Sequence, residues 1–181
     1  MEFFEKTVET DVKYEGRILT VRVDTVELAD GSISYREIVE HSGGVAVAAV
    51  DDGGYVYMVK QFRKPYDMVI TELPAGKLNE GEDPLECGKR ELKEETGLTA
   101  EEFISLGDFY PSPGYVREKL YLYLARGLRQ GEAHLDEGEF LTVEKVHIDE
   151  LVRAVVNNEI HDAKTVIGIL KADKYLKENK N

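Results

Sequence analysis

Gly76-Lys-Leu-Asn-Glu-Gly-Glu-Asp-Pro-Leu-Glu-Cys-Gly-Lys-Arg-Glu-Leu-Lys-Glu-Glu-Thr-Gly-Leu98 is the stretch that decides the fold of this 181-residue chain. Gly76 to Gly81 reads as a loop. Asp83 is placed to cap a helix, Pro84 suits its first position, and Glu86, three residues after Asp83, completes a capping box. Gly97 fits the left-handed residue that closes a helix. The spacing therefore predicts a helix over 84–96. On it, Glu91, Glu94 and Glu95 stand at i, i+3 and i+4 and share one face. Glu82 lies just ahead, where the chain folds back towards them. Leu85, Gly88 and Leu92 form an adjacent strip that would hold the helix against a sheet.

That carboxylate face works against its own helix. Like charges at this spacing cost roughly a few tenths of a kcal/mol per pair, and two of them sit in the last turn, where the helix dipole already disfavours anions. Arg90 and Lys93 offset part of this. A solvated acidic face is the plain alternative. The loop glycine, the cap, the Arg-Glu-Leu triplet and the closing glycine, all at fixed offsets, favour a metal site instead. Hard carboxylate oxygens select Mg²⁺, with Mn²⁺ the alternative. Cys87, on the helix between the apolar strip and solvent, is expected to be structural.

Outward from the helix, the first forty residues read as β structure. Arg17 to Leu28 alternates through Leu19, Val21, Val23, Val26 and Leu28, Ala29-Asp-Gly31 is a hairpin turn, and Ser32 to His41 returns through Ile33, Tyr35 and Val39. A hairpin makes no core of its own, so it must pack on the rest of the chain or on a second copy. Val45 to Val50 is a near-continuous apolar run, the mark of a strand buried on both faces. Asp51-Asp-Gly-Gly54 turns into a strand over Tyr55–Phe62. Further strands are expected over Phe103–Tyr110, Lys119–Arg126 and Phe140–His147, and helices over Asp149–Asn158 and Ala163–Lys177. The fold class is mixed α/β (α+β), with an N-terminal β segment over residues 1–42 and a main domain over 43–177.

Composition narrows the function. Lys and Arg number 23 against 36 Asp and Glu, a formal net charge of −13. Such a chain repels phosphate backbones and anionic membranes, so neither nucleic acid nor membrane is an expected partner. A phosphorylated substrate would need a cation as intermediary. The single cysteine allows no intrachain disulfide and suits a reducing, cytoplasmic setting. Met1 to Lys6 shows no signal-peptide pattern, and no run approaches the ~20 apolar residues of a membrane span.

The pattern Gly-x5-Glu-x7-Arg-Glu-(apolar)-x-Glu-Glu-x-Gly-(apolar) is met by Gly76, Glu82, Arg90, Glu91, Leu92, Glu94, Glu95, Gly97 and Leu98. It resembles the Nudix box. The resemblance implies the Nudix fold, a mixed sheet between helices, and Mg²⁺-dependent hydrolysis of a nucleoside diphosphate linked to another moiety. Gln61-Phe-Arg63, Glu72-Leu-Pro-Ala-Gly76, Ser112-Pro-Gly114 and Glu159-Ile-His-Asp-Ala-Lys-Thr165 are similar to the ADP-ribose pyrophosphatase branch. That branch implies a homodimer in which the extra N-terminal strands swap between subunits and help to build both active sites.

Carried over residue by residue, the resemblance implies that the Ala75 carbonyl, Glu91 and Glu95 ligate Mg²⁺, with Glu94 joining them. Arg63 would contact the substrate phosphates, and a surface strand arginine is its plain alternative. Glu72, Ser112 and Gly114 would line the ribose or pyrophosphate pocket; as strand-end and turn residues they have an equally ordinary reading. Arg36 would reach the neighbouring subunit's site, or serve as a strand arginine. Tyr115 and Glu118 would face substrate, although Arg117 stands where the family often has an acid. Arg90 would orient the glutamates. Glu139 is the expected general base and a further metal ligand, with Asp136 and Glu137 as rivals on the same acidic loop. The four histidines show no metal-ligand spacing. The implied reaction is hydrolysis of ADP-ribose to AMP and ribose 5-phosphate. Another nucleoside diphosphate sugar, such as GDP-mannose or ADP-glucose, and a non-catalytic ADP-ribose sensor are the competing readings.

Overall fold

The structure is a computed structural model that describes residues 3–135, 138 and 140–179. Its strands are β1 (Lys6–Glu15), β2 (Leu19–Glu27), β3 (Ile33–His41), β4 (Gly44–Ala49), β5 (Tyr55–Arg63), β6 (Met68–Glu72), β7 (Ala75–Lys77), β8 (Leu98–Phe109), β9 (Val116–Arg117), β10 (Leu120–Gln130) and β11 (Leu141–His147). Its helices are α1 (Pro84–Thr96), α2 (Ile148–Val156) and α3 (Ala163–Glu178). The chain folds as two units. The first takes the chain up to Gly43 together with Tyr110–Lys119, and the second takes Gly44–Phe109 and the chain from Leu120 onward.

The first unit is one sheet, ordered β1-β2-β3-β9. The expected hairpin is there: β2 and β3 pair antiparallel from Leu19↔His41 to Glu27↔Ile33, around a turn in which Gly31 N–H donates to the Leu28 carbonyl at 2.9 Å. Strand β1 adds to β2 with two bulges, at Thr7/Glu9 and Val12/Tyr14, and β9 pairs parallel to the end of β3. Asp24 is buried between strands, where its Oδ1 accepts from Thr10 Oγ1 at 2.9 Å and from Arg22 Nη1 at 2.7 Å. Val8, Val12, Tyr14, Ile33 and Tyr35 all remain more than half exposed.

The second unit is built around β4. It runs parallel to β10 and antiparallel to β7 in a sheet ordered β7-β4-β10-β8, while β11-β5-β6 forms a second sheet. Every residue of β4 is buried, as the unbroken apolar run requires. Because alternate strand residues face opposite sides, β4 feeds two cores. Val45, Val47 and Ala49 pack with Cys87 and Leu92 of α1. Ala46 and Ala48, with Val50 just past the end of the strand, pack with Ile148 and Leu151 of α2 and Ile169 and Ala172 of α3. A fully buried aliphatic side chain contributes about 1.5–3 kcal/mol, so this strand fixes helices on both faces. Helix α1 lies close: a Cβ added at Gly88 would stand 3.0 Å from Val45 Cγ1 and 3.3 Å from Val47 Cγ2.

Helix α1 has the predicted ends. Asp83 Oδ1 accepts from Leu85 N–H at 2.9 Å and Glu86 N–H at 3.2 Å, and Gly97 takes φ 73° with its N–H on the Lys93 carbonyl. Two expectations need correction. Glu86 does not close a capping box, because its carboxylate is held by Lys89 Nζ at 2.7 Å. Cys87 is fully buried rather than bordering solvent, since α1 turns it against the β4 side of the sheet. Helix α2 starts at Ile148, one residue earlier than expected, because His147 Nδ1 caps it by accepting from Asp149 N–H at 3.2 Å.

Candidate functional site

Glu72-Leu-Pro-Ala-Gly76 leaves β6, enters β7, and is clamped from three sides. Pro74 lends its carbonyl to Val47 N–H at 2.9 Å. Leu73 N–H donates to the buried Thr165 Oγ1 of α3 at 2.9 Å. Ala75 N–H donates to Glu95 Oε2 of α1 at 3.0 Å. Gly76 follows, and the Glu91 carboxyl fills the space its side chain would take: an added Cβ would stand 1.7 Å from Glu91 Cδ. The carboxylates of Glu91 and Glu95, one helical turn apart, thus come to rest on two consecutive residues of β7.

Arg90 gathers the other carboxylates. Its Nε donates to Glu82 Oε1 at 2.8 Å and its Nη2 to Glu82 Oε2 at 3.0 Å. Its Nη1 serves Glu91 Oε1 at 2.7 Å and Glu94 Oε2 at 2.9 Å. The side-chain bonds from Arg90, helped by Asn79 N–H, outweigh desolvation and hold the Glu82 carboxyl down at about 2. The same bonds, that to Glu82 first, raise Arg90 above its ordinary value. Burial pushes the Cys87 thiol up to about 12, so it is neutral. Arg90 therefore does what the sequence implied, orienting the glutamates by ion pairing.

Among the described residues, no three His, Cys, Asp or Glu side chains enclose a cation by themselves. Glu82, Glu91 and Glu94 converge on the Arg90 guanidinium instead. The two carboxylates that rest on Ala75 and Gly76, those of Glu91 and Glu95, are nevertheless hard oxygen donors of the kind that suit a divalent Mg²⁺ or Mn²⁺ ion.

A second ionic group adjoins this segment. Arg63, at the end of β5, holds Glu72 as a fork, with Nε to Oε1 at 2.7 Å and Nη2 to Oε2 at 2.8 Å. Lys164 Nζ also holds Glu72 Oε2 and lies 3.0 Å from Asp162 Oδ1. Burial alone would raise the Glu72 carboxyl; the bonds from Arg63 and the charge of Lys164 reverse that and hold it low. Arg63 is raised in turn, first by its bond to Glu72.

The remaining expected residues divide between the units. Ala75, Glu91, Glu94, Glu95, Arg63 and Glu72 belong to the second. Arg36, Ser112, Gly114 and Glu118 belong to the first, where Arg36, Gly114, Tyr115 and Glu118 line a cleft of about 1060 Å³. Within it, Arg36 Nε donates to Glu5 Oε2 at 2.9 Å, and Glu118 Oε1 lies 3.2 Å from His41 Nδ1. The Ser112 carbonyl accepts from Val116 N–H at 2.9 Å and closes the turn around Gly114. Glu139, with its rivals Asp136 and Glu137, lies outside the described residues. Sequence reasoning gave no role to Asp162, Lys164 or Thr165. The signal was present in Asp162-Ala-Lys-Thr165, a capping residue with a cation and a hydroxyl directly behind it.

A loop–helix–loop whose arginine marshals glutamates against a Gly-containing strand defines the class. A NUDIX domain model matches residues 40–166, and a model of the nucleoside diphosphate sugar hydrolase N-terminal domain matches residues 5–39. The chain belongs to the NUDIX domain family. It is 44% identical over 167 residues, 91% of this chain and 90% of the relative, to the ADP-ribose pyrophosphatase of Bacillus subtilis (strain 168). It is also 44% identical, over 92% of this chain and 91% of the relative, to the methanol dehydrogenase activator of Bacillus methanolicus. The ADP-ribose pyrophosphatase of Mycobacterium tuberculosis is 39% identical over 91% of this chain and 81% of its own length. A crystal structure described as an ADP compounds hydrolase superposes with a TM-score of 0.87 at 19% identity, over 98% of this chain and 97% of that one, and so shares the fold. No helix among the described residues is long and apolar enough to cross a membrane.

Proposed function

We propose that this chain hydrolyses ADP-ribose with water to AMP and ribose 5-phosphate, using Mg²⁺ held by the Ala75 carbonyl, Glu91 and Glu95. The observation that carries the chemistry is the convergence of the Glu91 and Glu95 carboxylates on Ala75 and Gly76. The choice of ADP-ribose is supported by the two relatives bearing that name, aligned over nine-tenths of this chain. When bound, the cation would screen the diphosphate and lower the pKa of the attacking water.

The protein's own residues supply the rest. Arg63 sits at a strand end with its guanidinium partly exposed, and in this reading it meets a phosphate oxygen. Arg90 ion-pairs Glu82, Glu91 and Glu94 and fixes their positions, so the site is preorganised before substrate arrives. Glu94 assists at the same site. Glu139 takes the proton from water as general base. A homodimer is part of the proposal: a second copy would cover the exposed apolar residues of the first unit, and Arg36, Ser112, Gly114 and Glu118 would add to a substrate pocket. The single thiol and the acidic surface suit the cytoplasm.

The test is turnover of ADP-ribose, GDP-mannose and ADP-glucose with MgCl₂, with and without EDTA. EDTA-sensitive release of AMP, with ADP-ribose preferred, is the expected result. Preference for another sugar would replace the substrate but keep the metal site. Absence of turnover on every sugar would overturn the hydrolase reading and direct attention to the activator relative. Glu139→Gln should lower kcat about 10²- to 10⁴-fold with little change in KM, and an unchanged kcat would remove Glu139 from the base role.

A further inference from the structure

Glu72 is only 2% exposed, yet two cations hold its one carboxylate. Arg63 binds it as a fork with the same Nε and Nη2 edge that a phosphate would need. Lys164 binds it from the inner side. The Lys164 side chain is 13% exposed against 40% for Arg63, so the lysine is the resident cation and the arginine the accessible one. Lys164 is also held in place by its surroundings. Asp162 caps α3 by accepting from Thr165 N–H at 3.0 Å and Oγ1 at 2.6 Å, and its other oxygen meets Lys164. Thr165 in turn receives Leu73 N–H, the residue next to Glu72. The start of α3 is therefore fastened to the chain that carries the carboxylate.

We propose that Lys164 is a positioning residue that acts through Glu72 on Arg63. As the standing counter-ion of Glu72, it lets Arg63 transfer its guanidinium from the carboxylate to an anionic oxygen of a nucleoside diphosphate sugar. Without Lys164, that transfer would strand a buried carboxylate with no charged partner among the described residues, which is strongly unfavourable. Arg63 would then stay on Glu72 and the substrate would lose its contact. This inference rests on the proposed reading of the site, in which Arg63 meets the substrate's phosphates.

The test is steady-state kinetics on ADP-ribose with saturating MgCl₂, using the full-length chain as wild type, Lys164→Met, Lys164→Arg, Glu72→Gln and the double variant Glu72→Gln/Lys164→Met. Calorimetric titration of ADP-ribose with CaCl₂ in place of MgCl₂, which keeps a hard divalent ion on the diphosphate while the catalytic metal is withheld, measures binding apart from chemistry. Lys164→Met should raise KM and Kd at least tenfold while kcat stays within about threefold, and Lys164→Arg should recover most of the loss. In the Glu72→Gln background, where no buried charge is left to strand, adding Lys164→Met should change KM less than twofold. An unchanged KM in Lys164→Met overturns the proposal. So does an equal rise in the Glu72→Gln background, which would mean that Lys164 touches substrate itself. A fall in kcat and thermal midpoint at constant KM would make Lys164 merely structural. If Glu72→Gln does not fold, the contrast between Lys164→Met and Lys164→Arg in KM and Kd decides. Wild-type protein that binds ADP-ribose without hydrolysing it overturns the hydrolase reading alone, and the Kd series then tests Lys164. Protein that does neither overturns both.

Discussion

Gly76 shows how a single missing side chain can make room for chemistry. The Glu91 carboxyl occupies the volume a Cβ would need, and the end of a flexible side chain can shift, at the expense of its bond to Arg90, where backbone cannot. Gly76→Ala should therefore keep its fold, with a thermal midpoint within a few degrees of wild type, and should lose about 10- to 100-fold in activity or Mg²⁺ affinity because Glu91 is displaced. Metal titration and a melting curve on the same sample check both halves. Glu82 is the complementary case, a carboxylate valuable for its partner. Its pKa in the folded protein is about 2 against an ordinary 4.5. A depressed carboxyl contributes stability in full above the unfolded value and loses it as pH falls through the folded one. Glu82→Gln should thus cost roughly 1–2 kcal/mol at pH 7, after allowance for the water that still reaches the pair. The difference from wild type should shrink between pH 4.5 and pH 2. Urea melts at a series of pH values would show it, and a gap that persists at pH 2 would refute the Arg90 assignment.

Among the elements, α1 and β4 were legible because each is overdetermined. The helix has a cap, an N-terminal proline and a closing glycine, and the strand is apolar on both faces. Strands β6 and β7 were not legible. Ala75-Gly-Lys77 has no strand preference of its own and is extended only because it pairs with β4. Met68 and Val69 of β6 are exposed, so no alternation marks it. Strand β1 carries two bulges, which break the period that sequence reading relies on. The site divides the same way. The carboxylates announced themselves through helical spacing, whereas the Lys164–Glu72 bond joins residues 92 apart in sequence, across a distance no periodicity spans. The close seat of α1 on β4 makes its own prediction. Gly88→Val would press two methyl groups into Val45 and Val47 and should destabilise the fold by about 1–3 kcal/mol. Because α1 carries Glu91 and Glu95, activity should fall with it. Gly88→Ala, with one methyl at 3.0 Å from a side-chain carbon, should cost less.

For the whole molecule, the net charge of −13 bears on the proposed self-association. Two copies of so acidic a chain repel each other, so the proposed homodimer must be held by apolar contact that outweighs the repulsion. The sheet of the first unit offers such contact in Val8, Val12, Tyr14, Ile33 and Tyr35, each more than half exposed. These two forces respond to salt in opposite senses. Screening weakens repulsion between charges farther apart than about 8–10 Å at 0.1–0.15 M, while apolar burial is little affected or slightly strengthened. The dimer should therefore tighten as NaCl rises from 20 to 300 mM, the reverse of an interface built on ion pairs. Sedimentation equilibrium across that range gives the dissociation constant directly. Val12→Glu should act on both terms, removing apolar area and adding charge, and should shift the chain towards monomer. Its effect should be strongest at low salt. A dimer that loosens with salt, or one indifferent to Val12→Glu, would place the interface elsewhere.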